Sequence, residues 1–368
     1  CQSILRYIYQ IRRHIMSTLK VDGIRSNSAS SDAITLASDG TCTADISNRP
    51  NYNLLINGQF DIWQRKTDSG SNSSDEYVAD RWRVAASGAT KQITRQAFTL
   101  GQTDVPSNPK YYLRFAVTTG NNNCALRQRI EGVDRVQGAV TLSFWVKGTN
   151  PAGGHFNITN RQDFGTGGSA SNVVDTDIGD FTVTTSWVKK TFTFTPPSIS
   201  GKTFGTNNNS YYELEVFRQP SDDTGTAAYT IDIANVKLEY GSSASDYQRI
   251  NVAQELALCQ RYFTRLGYGS QYAYVAAGIL ANSTSPRCGP FVLPTTMRAA
   301  PTATKVGTLI VDSETSAGTE VTAISSAQTT VSGGRLDFTC NSHAEGAGQS
   351  IHILSNTATS GLDFSSEL

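Results

Sequence analysis

Long apolar runs are missing: none reaches the roughly 18 residues that a membrane-spanning helix needs, so no membrane span is expected. Charge of one sign is missing too. Lys and Arg number 31 and Asp and Glu 31, giving a formal net charge of zero, so electrostatic nucleic-acid binding is not expected. Histidine is scarce (His14, His155, His343, His352), and there is no HExxH, no GxSxG and no phosphate-binding loop. The six cysteines (Cys1, Cys42, Cys124, Cys259, Cys288, Cys340) include no CxxC pair, which suits neither a zinc site nor a dense disulfide framework. Free thiols, in a protein assembled in a reducing cytosol, are the expectation. No cofactor is implied. The one metal reading left open is a structural calcium ion on Asp175, Asp177 and Asp180, which lack EF-hand spacing. No parallel β-helix period appears either.

What is present is alternation. In VTLSFWVKG (140–148), Val140, Leu142, Phe144 and Val146 point one way, and Thr141, Ser143, Trp145 and Lys147 the other. Such a strand covers a core on one side, as in antiparallel sandwiches. Around it stand NLLINGQF (53–60), WQR (63–65), ADRW (79–82), YYLRFAV (111–117), LRQRIEGV (126–133), SWVKKTFTFT (186–195), YYELEVF (211–217) and IDIANVKLEYG (231–241). Short strands divided by Gly, Asn and Ser loops predict an all-β jelly-roll sandwich over residues 49–250. NVAQELALCQRYFTRL then predicts a linker helix over 251–263, with Asn251 as its cap and Gln254 three residues on. Residues 264–368 turn rich in Ala, Ser, Thr and Gly. YAYVAAGIL, CGPFVL, GTLIVDS, EVTAI, RLDFTC and SIHIL read as the strands of a small β-sandwich or barrel. At 368 residues the chain has room for two or three cores.

The amino-terminal residues 1–48 differ. CQSILRYIYQIRRHIM reads as a helix whose Ile4, Ile8, Ile11 and Ile15 form a heptad seam, and isoleucine at both seam positions favours three or four strands. The alternatives are a targeting sequence or read-through ahead of Met16, so whether residues 1–15 belong to the natural product stays open. Residues 17–48 are too poor in large apolar groups to bury a core. They are expected either to stay disordered or to form short strands that pair with neighbouring copies. Val252, Leu256, Cys259 and Phe263 repeat the four-three-four spacing, which leaves two readings: a second seam between copies, with Val252, Leu256 and Phe263 in the interface, or a face docked on the chain's own sandwich.

TLKVDGIRS followed by AITLASDGT is similar to the shaft and collar segments of bacteriophage tail-fibre-like proteins. NLLINGQF, ADRW, VTLSFWVKG and IANVKLEYGSSAS together resemble the jelly-roll carbohydrate-binding modules that accompany glycan-degrading enzymes. Adding LRQRIEGV, QDFGTGGS and ELALCQRYF brings the set closer to phage tail-fibre-like or host-attachment virion proteins, over about residues 53–263; PTTMRAAPT (294–302) and the terminal LDFSSEL resemble their tips. The resemblance implies a non-enzymatic, homotrimeric virion protein. Its amino-terminal segment would meet other tail or capsid proteins, and its carboxy-terminal domain would meet host polysaccharide or lipopolysaccharide by avidity. The alternatives are a virion glycan depolymerase, a capsid-decorating fibre and a stand-alone carbohydrate-binding module.

Sugar binding by such modules uses aromatic faces with a few polar groups in a shallow cleft. The candidates are Trp145, Trp63, Tyr77 and Trp82; Trp187, beside a strand with paired phenylalanines, reads as a filler. For the depolymerase, the best pair of acids is Glu213 and Glu215, about 7 Å apart along one strand face. Both are expected to be ordinary solvent-facing acids.

Overall fold

The computed structural model describes residues 21–25, 34–36, 38, 42–44 and 52–368, apart from 87, 120–123, 152–153, 219–227 and 314–316. The seam of Ile4, Ile8, Ile11 and Ile15 lies outside the described residues. The chain divides into two units, Cys1–Pro50 and Asn51–Leu368. In the first, β1 (Gly23–Ile24), β2 (Ile34–Leu36) and β3 (Cys42–Ala44) form an antiparallel sheet. Of the two expectations for this stretch, short strands hold, but they pair with one another within one chain.

The second unit is almost wholly β, as the alternation predicts. Its first sheet runs β11 (Val174–Phe181), β10 (Phe156–Asp163), β13 (Tyr211–Arg218), β8 (Ala125–Glu131), β5 (Arg83–Ala85), β4 (Glu76–Tyr77). The second runs β12 (Val188–Phe194), β9 (Val140–Gly148), β14 (Tyr229–Tyr240), β7 (Tyr111–Thr119), β6 (Thr90–Ala97). Every pairing is antiparallel. The inner faces meet over one core in which Leu142, Phe144, Val146, Phe115, Phe156, Phe217 and Leu238 are wholly buried. Each such side chain stabilises the fold by about 1.5–3 kcal/mol.

NLLINGQF does not form a strand. Asn57 and Phe60 take positive φ (59° and 57°), and the Asn57 side chain donates to Ile62 O and Asp80 O while accepting from Ile62 N. The segment still lies along β14, with Leu54 N donating to Leu238 O and Val236 N to Gly58 O.

Helix α1 (Val252–Gln260) follows, its Asn251 Oδ1 accepting from Ala253 N at 2.8 Å. Its seam-like residues turn to their own chain: Cys259 is wholly buried, and Phe263 is already in β15 (Phe263–Leu266) and 3% exposed under the Arg65 guanidinium. Of the residues expected either in a contact between copies or docked on the chain's own sandwich, Phe263 is docked, Leu256 is half-buried and Val252 is exposed.

Beyond it, β16 (Tyr274–Leu280), β17 (Pro286–Val292), β21 (Gly333–Cys340), β20 (Ala317–Thr330), β19 (Leu309–Asp312) and β22 (Ser350–Ser355) close into a barrel. It is flanked by a sheet of β15, β23 (Gly361–Ser365) and β18 (Thr302–Val306). Cys124, Cys259, Cys288 and Cys340 are free and buried.

Candidate functional site

With alternate β9 residues in the core, Trp145 and Lys147 stand on the outer face of the second sheet. Register places Lys147 beside Asp232 of β14, Asp232 beside Arg114 of β7, and Trp145 beside Ala234. Arg114 donates to both Asp232 oxygens, Nε to Oδ1 at 2.7 Å and Nη2 to Oδ2 at 2.8 Å, and Lys147 Nζ lies 3.9 Å from Oδ2. These hydrogen bonds from Arg114 to Asp232 hold its pKa above the ordinary guanidinium value.

Aromatic rings close around this ladder. Tyr112, Phe98 and Trp187 have centroids 4.8 Å apart for Phe98–Tyr112, 5.3 Å for Phe98–Trp187 and 5.3 Å, edge-on, for Tyr112–Trp187. Lys147 Nζ sits 5.0 Å from the Trp187 ring centroid and 5.8 Å from that of Tyr112, a cation–π arrangement. Phe98, Tyr112, Trp145 and Trp187 are all half-buried, fixed by packing yet showing ring surface.

The rest of that face is shut. Past the register shift at Ala234/Lys237, where Asn235 takes φ 50°, Lys237 and Glu239 point outward but are buried. Ser245 caps them: its N and Oγ donate to Glu239 at 2.8 and 2.6 Å, and Lys237 Nζ lies 3.0 Å from Glu239 Oε2. Thr141 Oγ1 likewise donates to Gly241 O. The outer face is thus covered over Thr141, Lys237 and Glu239 and open around Trp145, Tyr112 and Trp187.

The other expected rings lie elsewhere. Trp82 is 0% exposed, packs on Phe60 at 5.2 Å and donates Nε1–H to Asn57 O at 2.9 Å, so it belongs to the core and cannot meet a ligand. Trp63 packs against the same core and donates to Phe60 O. Tyr77 lies beneath the Arg65 guanidinium, its hydroxyl 3.5 Å from Leu368 O, and burial raises its pKa. Trp145 alone of the four is on the open face. Trp187, read as a filler, is a central member. The missed signal was in YYLRFAV and IDIAN: Tyr112 and Arg114 share one strand face, and Asp232 stands among apolar residues in the middle of a strand.

Glu213 and Glu215 line a cleft of about 190 Å³ on the first sheet's outer face, together with Thr159, Arg161, Asp175 and Asp177. They are not free acids. Glu213 is 1% exposed; its Oε2 accepts from Arg129 Nε at 2.6 Å and its Oε1 from Arg127 Nη1 at 3.3 Å. Glu215 accepts from Thr159 Oγ1 at 2.6 Å. Asp175 is taken by Arg161, Asp177 by the Gly179 N–H and Asp180 by Asn157. Among the described residues no group of three His, Cys, Asp or Glu side chains is placed to hold a metal ion.

Residues 53–209 match the family described as "Carbohydrate binding domain", a match that covers less than half of the chain but includes Phe98, Tyr112, Arg114, Trp145, Lys147 and Trp187. No curated protein matches. Among solved structures, a putative sugar binding protein from Bacteroides thetaiotaomicron overlaps 52% of this chain and 100% of its own, at 13% identity and a TM-score of 0.32. A CBM22-1 xylan-binding domain from Paenibacillus barcinonensis overlaps 53% of this chain and 97% of its own, at 15% identity and a TM-score of 0.28. The enzymatically active domain of tailspike protein 4 from bacteriophage CBA120 overlaps 51% of this chain and 21% of its own, at 16% identity and a TM-score of 0.30. The sandwich therefore carries the sequence pattern of a carbohydrate-binding domain, and its open aromatic face falls within the residues that match.

Proposed function

We propose that residues 53–250 bind glycan without cleaving it, on the open outer face of the second sheet. The observation that carries this is the fixed cluster of Tyr112, Trp187 and Phe98, with Trp145 nearby on the same face, bordering the Lys147–Asp232–Arg114 ladder. Ring faces take the apolar C–H surface of a pyranose, while the ladder offers donors and acceptors to its hydroxyls. The match to the carbohydrate binding domain family supports the reading. So does the engagement of Glu213 by Arg127 and Arg129, which leaves neither of its oxygens aimed at a substrate. Titration of a soluble glycan panel (xylan, mixed-linkage glucan, host surface polysaccharide) tests it. Trp187→Ala and Trp145→Ala should each weaken binding about tenfold, since a lost stacking contact costs on the order of 1.4 kcal/mol. Unchanged affinity in both variants, or released reducing ends, overturns it.

The finer reading is a homotrimeric attachment protein of a bacteriophage particle, supported by the ordered motifs from TLKVDGIRS to the terminal LDFSSEL. An antibody against residues 264–368 should decorate intact particles and block their adsorption to cells. Particles that carry no epitope leave only the glycan-binding module.

A further inference from the structure

The sandwich has an open edge where β11 and β12, the outermost strands of its two sheets, face each other. A groove of about 390 Å³ lies there, floored by Phe181 and Phe192 and walled by His155, Asp180, Lys189 and Lys190. That volume is of the size that takes a small ligand. The groove's one carboxylate is already engaged, for Asp180 Oδ1 accepts from Asn157 Nδ2 and its Oδ2 lies 3.8 Å from His155 Nε2. The two lysines are half-buried and, as neighbours on β12, alternate across the edge strand, Lys190 on the Phe144 side and Lys189 on the Trp145 side; among the described residues neither ammonium has a carboxylate partner. Two lysines against one carboxylate give the groove's lining an excess of positive charge on a chain whose net charge is zero. The groove also adjoins the aromatic face: Lys189 is the cross-strand neighbour of Trp145, and Lys190 that of Phe144.

We infer that this groove holds the anionic group of an acidic sugar, so that the sandwich selects acidic over neutral polysaccharide. The inference rests on the glycan-binding reading and names its substrate class. A sugar near Trp145 sets the next unit of the chain across the β12 edge, where Lys189 on its outer side and Lys190 on its groove side straddle a carboxylate or sulfate and meet it with charge-assisted hydrogen bonds. Phe192 and Phe181 give the ring an apolar floor.

Isothermal titration of the full chain with four polymers tests this: polygalacturonate, its fully methyl-esterified neutral form, dextran sulfate and dextran. The expected result in 50 mM salt is a preference of about tenfold for an acidic polymer over its neutral counterpart, shrinking as salt rises. Lys189→Met with Lys190→Met should abolish that preference while leaving neutral binding and the melting temperature unchanged, and Lys189→Arg with Lys190→Arg should keep it. A response to polygalacturonate alone identifies a carboxylate, and a response to both polyanions a general anion site. Equal affinity for neutral and acidic polymers overturns the inference and spares the glycan-binding reading. So does a methionine variant that keeps the preference, because the attraction then lies elsewhere. Absence of binding to any polymer, unaltered by Trp187→Ala, sinks both.

Discussion

Asp80 is an acid in an expensive place. It is 1% exposed, and burial pushes its pKa up to about 6 against the pull of Arg65 and the Gln64 hydrogen bonds. In the unfolded chain the same group titrates near 3.8. The folded form thus binds the proton more tightly, so this group's contribution to stability falls as pH rises from about 3.8 to about 6, and the penalty is complete above that. Its size is on the order of 3 kcal/mol. Glu76 works in the opposite sense. Burial raises its pKa, but hydrogen bonds from Lys66, Lys91 and Asn72 outweigh that and lower it, so its contribution is lost on acidification. The whole-protein pH profile mixes the two, and the difference between wild type and Asp80→Asn isolates the first. Urea unfolding at pH 4.5 and 7.5 should show wild type gaining on the variant at the lower pH. A gap that is flat or widens toward pH 7.5 contradicts the assignment. None of this is legible in ADRW read as letters, because the pKa of Asp80 is set first by its burial in the fold and then by Arg65, Gln64 and the distant Glu367 carboxylate.

Among the elements, β9 and β14 show where alternation informs and where it misleads. Period-two spacing placed Val140, Leu142, Phe144 and Val146 in the core without error, because that face meets a sheet whatever else happens. The other, polar face is not left open along its length, since Thr141 and Ser143 are buried too. What covers Thr141 comes from elsewhere in the chain, the turn at 241–245, and local sequence cannot announce so distant a lid. IDIANVKLEY carries the same ambiguity, with Asp232, Lys237 and Glu239 buried among apolar neighbours because each has a paired partner. Glu213 and Glu215 were misread for the complementary reason. Alternating acids on a strand look exposed until Arg127 and Arg129 on β8, aligned by register, are seen to saturate the first of them. The open aromatic face was half legible: Trp145 was visible as the lone ring on a polar face, whereas Trp187 needed the meeting of β12 with Tyr112 and Phe98.

For the molecule as a whole, the sequence suggests a tip at 264–368 joined to the sandwich by a linker helix; sandwich and barrel have separate cores, and residues 51–368 pack as one compact unit. The joint is ionic and aromatic. Arg81, 1% exposed, pairs with Glu367, donates to Arg129 O and lies 3.5 Å above the Tyr262 ring. Arg65 pairs with the same Glu367 at 3.0 Å and lies 3.5 Å above Phe263, while Arg265 donates to Gln64 O. Glu367 thus neutralises two guanidiniums that belong to the sandwich, and removing one partner of a buried pair costs about 3–5 kcal/mol. Glu367→Gln should lower the stability of the sandwich itself by that order, although the altered residue lies outside it. The four tryptophans make this readable, since Trp63, Trp82, Trp145 and Trp187 all lie between residues 52 and 250 and none lies in the barrel. Their fluorescence during urea unfolding reports the sandwich alone, and far-ultraviolet circular dichroism reports all the strands. The two probes should trace one coincident transition in wild type and shift together in the variant, as cooperative folding across the joint requires. If the tryptophan transition keeps its midpoint in Glu367→Gln while the dichroism splits in two, the barrel is an independent tip after all and the Arg81–Glu367 pair contributes nothing to the sandwich.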